Sequence, residues 1–156
     1  AVDGARMPVA RVLMVCVGNV CRSPMAAALW RDRFRDRGTL VESAGLAALT
    51  GHAVDPTAEA ILADHGLSAK PHVARQITAS LVNAADIVLV MERDHVATVQ
   101  ALSPHAGERT FLLGKWSGDV EIPDPHRRPW PAYLRAYRLI EQAVGAWRVH
   151  LDDASG

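Results

Sequence analysis

The stretch from residue 9 to residue 24 constrains the fold more than any other part of the chain. Residues 9–15 are almost continuously apolar, which predicts a strand buried on both faces of a parallel sheet. Cys16 follows this strand, and Arg22, Ser23 and Pro24 come after five further residues. Ser23 before Pro24 predicts a helix with Ser23 as its N-cap. A strand, a short loop and a helix in this order indicate an α/β fold.

The rest of the chain repeats this alternation of strands and helices. We predict further strands at residues 40–44, 87–91 and 109–113, and helices at residues 24–37, 56–66, 78–84, 93–102 and 131–151. The pattern is typical of a single α/β domain with a four-stranded, parallel, doubly wound sheet and helices on both faces. Ligands of such sheets bind beyond the carboxyl ends of the strands, where Cys16 stands.

Length and composition limit the function classes. With 156 residues we expect a flexible N-terminal segment at residues 1–8, one domain at residues 9–151 and a C-terminal tail at residues 152–156. The 17 basic and 17 acidic residues balance, which argues against nucleic-acid or acidic-lipid partners. No signal peptide or membrane-length apolar segment is evident, so we expect a cytoplasmic protein without membrane insertion. The histidines and cysteines do not fall at metal-ligand spacing, so we expect no metal site. The sequence contains neither a dinucleotide-binding nor a triphosphate-binding motif, so we expect no cofactor.

The loop after the first strand has the features of an anion site. Gly18 and Asn19 tolerate positive φ, so the loop can curl with its N–H groups pointing inward. Arg22 adds a planar fork that holds two phosphate oxygens, and the positive surroundings favour the thiolate form of Cys16. A lone cysteine after a strand is more often a core residue, but this context favours a nucleophile. The expected phosphate-binding residues are Val17, Gly18, Asn19, Val20, Cys21, Arg22 and Ser23.

A second candidate lies in the long irregular segment at residues 114–130. Asp124 stands between Pro123 and Pro125, which stiffen the backbone on both sides. Such stiffness suits a general acid that must stay within hydrogen-bond reach of a leaving oxygen. An aspartate before proline is also a common turn former, and the residues alone leave both interpretations open.

The chain from about residue 11 to residue 151 resembles the low-molecular-weight protein tyrosine phosphatases. Asp124-Pro125 is similar to that family's general-acid loop, and further similarity lies at Ser43-Ala44-Gly45, at residues 72–76 and at residues 86–91. Residues 42–49, 72–77 and 121–125 are most similar to the bacterial branch associated with exopolysaccharide and capsule export. The signature loop of the family is matched by Cys16-Val17-Gly18-Asn19-Val20-Cys21-Arg22-Ser23-Pro24.

The resemblance implies a protein-tyrosine-phosphatase that works through a phosphocysteine on Cys16, with Asp124 as general acid and Arg22 holding the phosphate. It implies that Ser23 hydrogen-bonds the sulfur, and that Ser43 and His72 support the loop. It also implies a monomer that releases inorganic phosphate and acts on a phosphotyrosine protein, expected to be a bacterial tyrosine autokinase of polysaccharide export. Val17, Leu46 and Leu49 would line the substrate pocket.

Two positions depart from the family, and two residues keep alternative interpretations. His126 and Arg127 stand where relatives usually carry a tyrosine that lines the substrate pocket, so we expect these two residues to line it here and to shift substrate preference and pH optimum. Cys21 would protect Cys16 by a redox disulfide, or it packs under the loop. Judged by residue type alone, His72 is more often a surface or core histidine without a functional role than a residue that supports a site.

Two other functions share this loop. An arsenate reductase would need further cysteines, and residues 72–95 contain none, so this function would depend on an external thiol such as glutathione. A non-catalytic phosphotyrosine-binding module would have lost the nucleophile or the acid, and both Cys16 and Asp124 are present.

Overall fold

A single sheet of four parallel strands organises the computed structural model, which describes residues 9–155. The expected flexible segment at residues 1–8 lies outside the described residues. The strand order is β2-β1-β3-β4, with every neighbouring pair parallel. The strands are β1 (Arg11–Cys16), β2 (Leu40–Gly45), β3 (Ile87–Val90) and β4 (Thr110–Leu112). The predicted four-stranded parallel sheet is confirmed.

Helices cover both faces of the sheet. They are α1 (Arg22–Arg33), α2 (Pro56–Asp64), α3 (Ala79–Ala84), α4 (Asp94–Leu102) and α5 (Trp130–Ser155), with short 3-10 segments at Arg35–Arg37 and Pro104–Arg109. Helices α1, α2 and α5 pack on one face, and α3 and α4 on the other. Along β1, Val12 and Met14 enter the first core cluster, whereas Leu13 and Val15 enter the second. The continuous apolar run in β1 therefore reflects burial on two faces. No helix within residues 9–155 carries an apolar stretch long enough to cross a bilayer.

The strand order places a crevice at the carboxyl end of β1. The chain moves from β1 to β2 on one side, and later returns to place β3 on the other side of β1. The connections after β1 and β3 therefore leave towards opposite faces of the sheet, which opens a space between them. Cys16, the last residue of β1, lies at this edge.

The first helix begins and ends earlier than predicted. It starts at Arg22 with Cys21 at the N-cap position, so the prediction of Ser23 as N-cap is wrong. The Ser23 hydroxyl instead lies 2.9 Å from Cys16 Sγ. The α-helix ends at Arg33 rather than at residue 37, because Phe34 leaves α-helical geometry and Arg35–Arg37 continue as a 3-10 turn up to Gly38.

The last helix extends beyond the predicted residue 151. Residues 152–155 are its final turn, so the predicted end of this helix at residue 151 is wrong. Asp152 holds that turn, because it accepts a 3.0 Å hydrogen bond from Arg148 Nε one turn earlier and also pairs with Arg37. The predicted start of α2 is confirmed, since Asp55 Oδ1 caps the helix by accepting from the N–H groups of Thr57 and Ala58.

Candidate active site

The loop between β1 and α1 wraps its polar groups around the sulfur of Cys16. Asn19 has a positive φ of 60° and donates its backbone N–H to Cys16 Sγ at 3.3 Å. Ser23 Oγ lies 2.9 Å from the same sulfur and accepts a hydrogen bond from Asn19 Nδ2 at 2.8 Å. The hydroxyl hydrogen of Ser23 is therefore available to the sulfur, so two donors favour a negative charge there. Of the two loop residues that tolerate positive φ, Asn19 adopts it and Gly18 does not.

The side chain of Asn19, which is fully buried, links the loop to two other segments. Its Nδ2 also donates to Ser43 Oγ in β2 at 3.0 Å, and its Oδ1 accepts from the backbone N–H of Arg75 at 2.9 Å. Its backbone carbonyl lies 2.7 Å from His72 Nε2. Burial lowers the pKa of His72, which favours a neutral ring that donates Nε2–H to this carbonyl. Ser43 and His72 thus lie where a supporting role requires them.

Arg22 is held from behind so that one side of its guanidinium faces the cavity. The residue is only 1% exposed. Its Nη1 donates to Glu92 Oε2 at 2.6 Å and to the carbonyl of Ile122 at 2.8 Å, while Nη2 lies 3.7 Å from Asp124 Oδ2. Sequence reasoning missed Glu92, although a charged residue directly after the buried third strand marks the same sheet edge as Cys16.

Asp124 projects into the opening of the site from the loop before α5. Its side chain is 48% exposed, and its Oδ1 accepts the backbone N–H of His126 at 3.0 Å. The loop is anchored just before it, because Ile122 is fully buried and donates its N–H to the carbonyl of Met91 beyond β3. Asp124 therefore follows an anchored backbone segment while its carboxylate stays accessible.

These groups surround a cavity of about 290 Å³. Val17, Leu49, His126 and Arg127 line it as expected, but Leu46 does not. The Leu46 side chain instead packs against the second core cluster on the sheet, so the prediction that it lines the pocket is wrong. The full lining is Cys16, Val17, Gly18, Asn19, Val20, Cys21, Arg22, Ala47, Leu49, Asp124, His126 and Arg127.

Two residues that the sequence did not indicate as part of the site, Tyr133 and Asp55, lie next to the cavity lining. Tyr133 donates its hydroxyl to Asp55 Oδ2 at 3.0 Å and accepts the backbone N–H of Arg127 at 3.3 Å.

Burial, together with the charge of Asp55, raises the pKa of Cys21 far above its ordinary value. The raised pKa favours the protonated thiol of Cys21, which is a poor nucleophile. Its redox role stays a prediction.

Comparison with known proteins identifies relatives along nearly the whole chain. Residues 11–155 match the family of low molecular weight phosphotyrosine protein phosphatases. The low molecular weight protein-tyrosine-phosphatase Wzb of Salmonella typhi is 41% identical over 146 residues, which cover 94% of this chain and 97% of Wzb.

Solved structures of similar proteins share the fold. The tyrosine phosphatase AmsI of Erwinia amylovora superposes with a TM-score of 0.87 at 35% identity, covering 91% of this chain and 93% of that one. The YwlE arginine phosphatase of Geobacillus stearothermophilus superposes with a TM-score of 0.85 at 33% identity, covering 92% and 93%. The chain therefore belongs to the low molecular weight phosphotyrosine protein phosphatase family, in its bacterial branch associated with exopolysaccharide.

Proposed function

We propose that the protein hydrolyses phosphotyrosine by forming and then hydrolysing a phosphocysteine on Cys16. The observation that carries this proposal is the meeting of Cys16, the loop N–H groups, Arg22 and Asp124 at one cavity. A nucleophile, an anion cradle and a proton donor are the three groups that transfer of a phosphoryl group from an ester requires.

In the first step the Cys16 thiolate attacks phosphorus in line with the ester oxygen. The S–P bond forms while the P–O bond to the phenol breaks, and Asp124 gives its proton to the departing oxygen. Tyrosine has a pKa near ~10 and leaves poorly as an anion at neutral pH, which is why a proton donor is needed. Arg22 and the loop N–H groups hold the remaining phosphate oxygens.

In the second step a water molecule attacks phosphorus from the side that the phenol has left. Asp124, now a carboxylate, accepts the proton from this water, and the P–S bond breaks to release inorganic phosphate. The electron pair returns to Cys16 Sγ, where the Ser23 hydroxyl and the Asn19 N–H stabilise it. The same two donors therefore favour the nucleophile in step one and the leaving group in step two.

The walls of the cavity support an aromatic substrate. Val17, Ala47 and Leu49 present apolar side chains beside the phosphate loop, which suits a phenyl ring better than a charged guanidinium. Arg127 at the rim would attract acidic residues next to the phosphotyrosine. We further propose that the substrate is a bacterial tyrosine autokinase of polysaccharide export, that the enzyme acts as a monomer, and that it works in the reducing cytoplasm, where Cys16 stays a free thiol.

The test is hydrolysis of p-nitrophenyl phosphate, a phosphotyrosine peptide and a phosphoarginine peptide. We expect wild-type enzyme to turn over the first two, and Cys16→Ser to abolish both activities. Asp124→Ala should lower turnover of the peptide by ~10²–10⁴-fold, and lower turnover of p-nitrophenyl phosphate less, because nitrophenolate leaves without a proton. Preferred hydrolysis of phosphoarginine, or activity that survives in Cys16→Ser, would contradict the proposal.

A further inference from the structure

Cys21, Asp55 and His126 bring three potential metal ligands together beside the phosphate loop. Cys21 Sγ, an Asp55 carboxylate oxygen and a ring nitrogen of His126 all lie within 4.8 Å of one another. The proposed phosphatase mechanism uses none of these three groups. They come from three distant parts of the chain, so the absence of metal-ligand spacing in the sequence does not bear on them.

Each ligand atom is available in the folded protein. His126 Nδ1 is buried from solvent and has no hydrogen-bond partner, and it lies 3.9 Å from Asp55 Oδ2. Asp55 uses Oδ1 to cap α2, which leaves Oδ2 directed towards the cluster. Tyr133 donates its hydroxyl to that same Oδ2 at 3.0 Å, an arrangement that orients a metal-binding carboxylate. The Cys21 thiol is buried, and its sulfur lies within 4.8 Å of the ligand atoms of both other residues.

The chemistry of the three donors favours zinc. Zn²⁺ combines thiolate, imidazole and carboxylate ligands in tetrahedral geometry, with bonds of ~2.0–2.3 Å that set neighbouring ligand atoms about 3.5 Å apart. Closing the cluster to that spacing requires movements of about 1 Å. Such a movement is accessible to His126, whose side chain is 34% exposed and belongs to a loop. Calcium and magnesium would take oxygen ligands rather than this thiol and imidazole.

We propose that Cys21, Asp55 and His126 bind Zn²⁺ and that the bound ion inhibits the enzyme. Binding forms a Zn–S bond and releases the thiol proton of Cys21 to solvent. The ion would lie in the wall of the cavity that contains Cys16, since Cys21 and His126 both line it. His126 also donates its backbone N–H to Asp124, so fixing the His126 ring restrains the general acid.

Cobalt binding tests the site without any need for phosphatase activity. In Cys16→Ser protein Cys21 is the sole remaining cysteine, so a thiolate-to-cobalt charge-transfer band on adding Co²⁺ reports ligation by Cys21. Competition with Zn²⁺ then gives the zinc affinity. The variants His126→Phe and Asp55→Asn remove one ligand each in this background. Asparagine keeps the N-cap of α2, and phenylalanine keeps a flat ring.

We expect a band that saturates at one Co²⁺ per chain and disappears when Cys21→Ser is added. Both ligand variants should weaken zinc binding by at least ~10–100-fold, because even partners that only orient a ligand contribute that much. The matched control His105→Phe replaces an exposed histidine outside the cavity and should bind as tightly as its parent. Circular dichroism verifies that each variant is folded.

Two results would overturn the proposal. One concerns binding: either Cys16→Ser protein shows no charge-transfer band, or neither His126→Phe nor Asp55→Asn changes the metal affinity that the band reports. The other concerns inhibition: if Zn²⁺ inhibits wild type and His126→Phe equally, the ion acts through Cys16 and not through this cluster. Because the cobalt signal is measured in an inactive variant, its failure is distinct from failure of the phosphatase assay.

Discussion

Replacement of Asn19 by alanine tests whether the phosphate loop is held by its side-chain network. Asn19 is fully buried, and its amide makes three hydrogen bonds, to Ser23 Oγ, to Ser43 Oγ and from the Arg75 N–H. Its backbone has a φ of 60°, which an alanine tolerates poorly. The variant Asn19→Ala therefore removes three polar contacts and adds backbone strain.

The expected loss of stability follows from these contacts. A buried side-chain hydrogen bond contributes about 1 kcal/mol to the free energy of unfolding, so three contribute about 3 kcal/mol. The left-handed conformation costs alanine about 1 kcal/mol more. The sum is about 4 kcal/mol for Asn19→Ala, which lowers the melting temperature of a protein of this size by roughly 8–16 °C.

Asn19→Gly is the matched comparison, because it loses the same three hydrogen bonds but accepts a positive φ without strain. We expect it to lose about 3 kcal/mol, less than the alanine variant. Urea unfolding followed by circular dichroism measures both free energies. If both variants lose less than about 1 kcal/mol, the network does not hold the loop. If alanine is no worse than glycine, the strain argument is wrong.

Three further predictions concern the site. Glu92→Gln removes the charge that fixes Arg22 Nη1, and the guanidinium should then be misplaced. We expect kcat/KM for a phosphotyrosine peptide to fall by ~10–10²-fold. Steady-state kinetics measure this, and an unchanged kcat/KM refutes the prediction. Burial lowers the pKa values of His72 and His95, so the unfolded chain binds more protons below about pH 6.5. The contribution of these two histidines to the free energy of unfolding should therefore be constant above that pH. It should fall as the pH drops from about 6.5 through the lower pKa values of the folded state. Urea unfolding at a series of pH values measures this, and His72→Gln should make the fall smaller. His126→Tyr should change the pH profile and the ranking of phosphopeptides in initial-rate assays, and if both stay the same, His126 does not tune specificity.

Local sequence determined the parts of the site that lie on one continuous segment. Residues 9–15 predicted a buried strand, and the residues that follow it predicted the phosphate loop, because both depend on neighbours along the chain. Where the prediction failed, tertiary contacts decided the outcome. The Ser23 hydroxyl bonds the sulfur of Cys16 instead of capping the helix, and Arg148 of α5 donates to the Arg33 carbonyl and to Asp36 where α1 ends.

The contact between Asp55 and Tyr133 beside the site could not be predicted from the sequence, since the two residues come from separate segments. The position of Asp55 before Pro56 indicates a helix cap, and its Oδ1 has that role. Nothing in the neighbouring sequence indicates that its Oδ2 accepts a hydrogen bond from Tyr133. Leu46 and Ala47 show the same limit. Both follow β2, and only the packing of Leu46 against the core determines that Ala47 faces the cavity.

The support of the loop by distant segments explains how a strained turn serves catalysis. Asn19 is tied to β2 and to the segment at residues 72–75, and Arg22 is tied to Glu92 beyond β3 and to Ile122. These contacts are made between protein groups alone, so holding the donors in position requires no contribution from the substrate. Donors that need no reorganisation stabilise the charge of the transition state more effectively than mobile ones. The hydrogen bonds that offset the positive φ of Asn19 therefore also set the positions of the groups that receive phosphate.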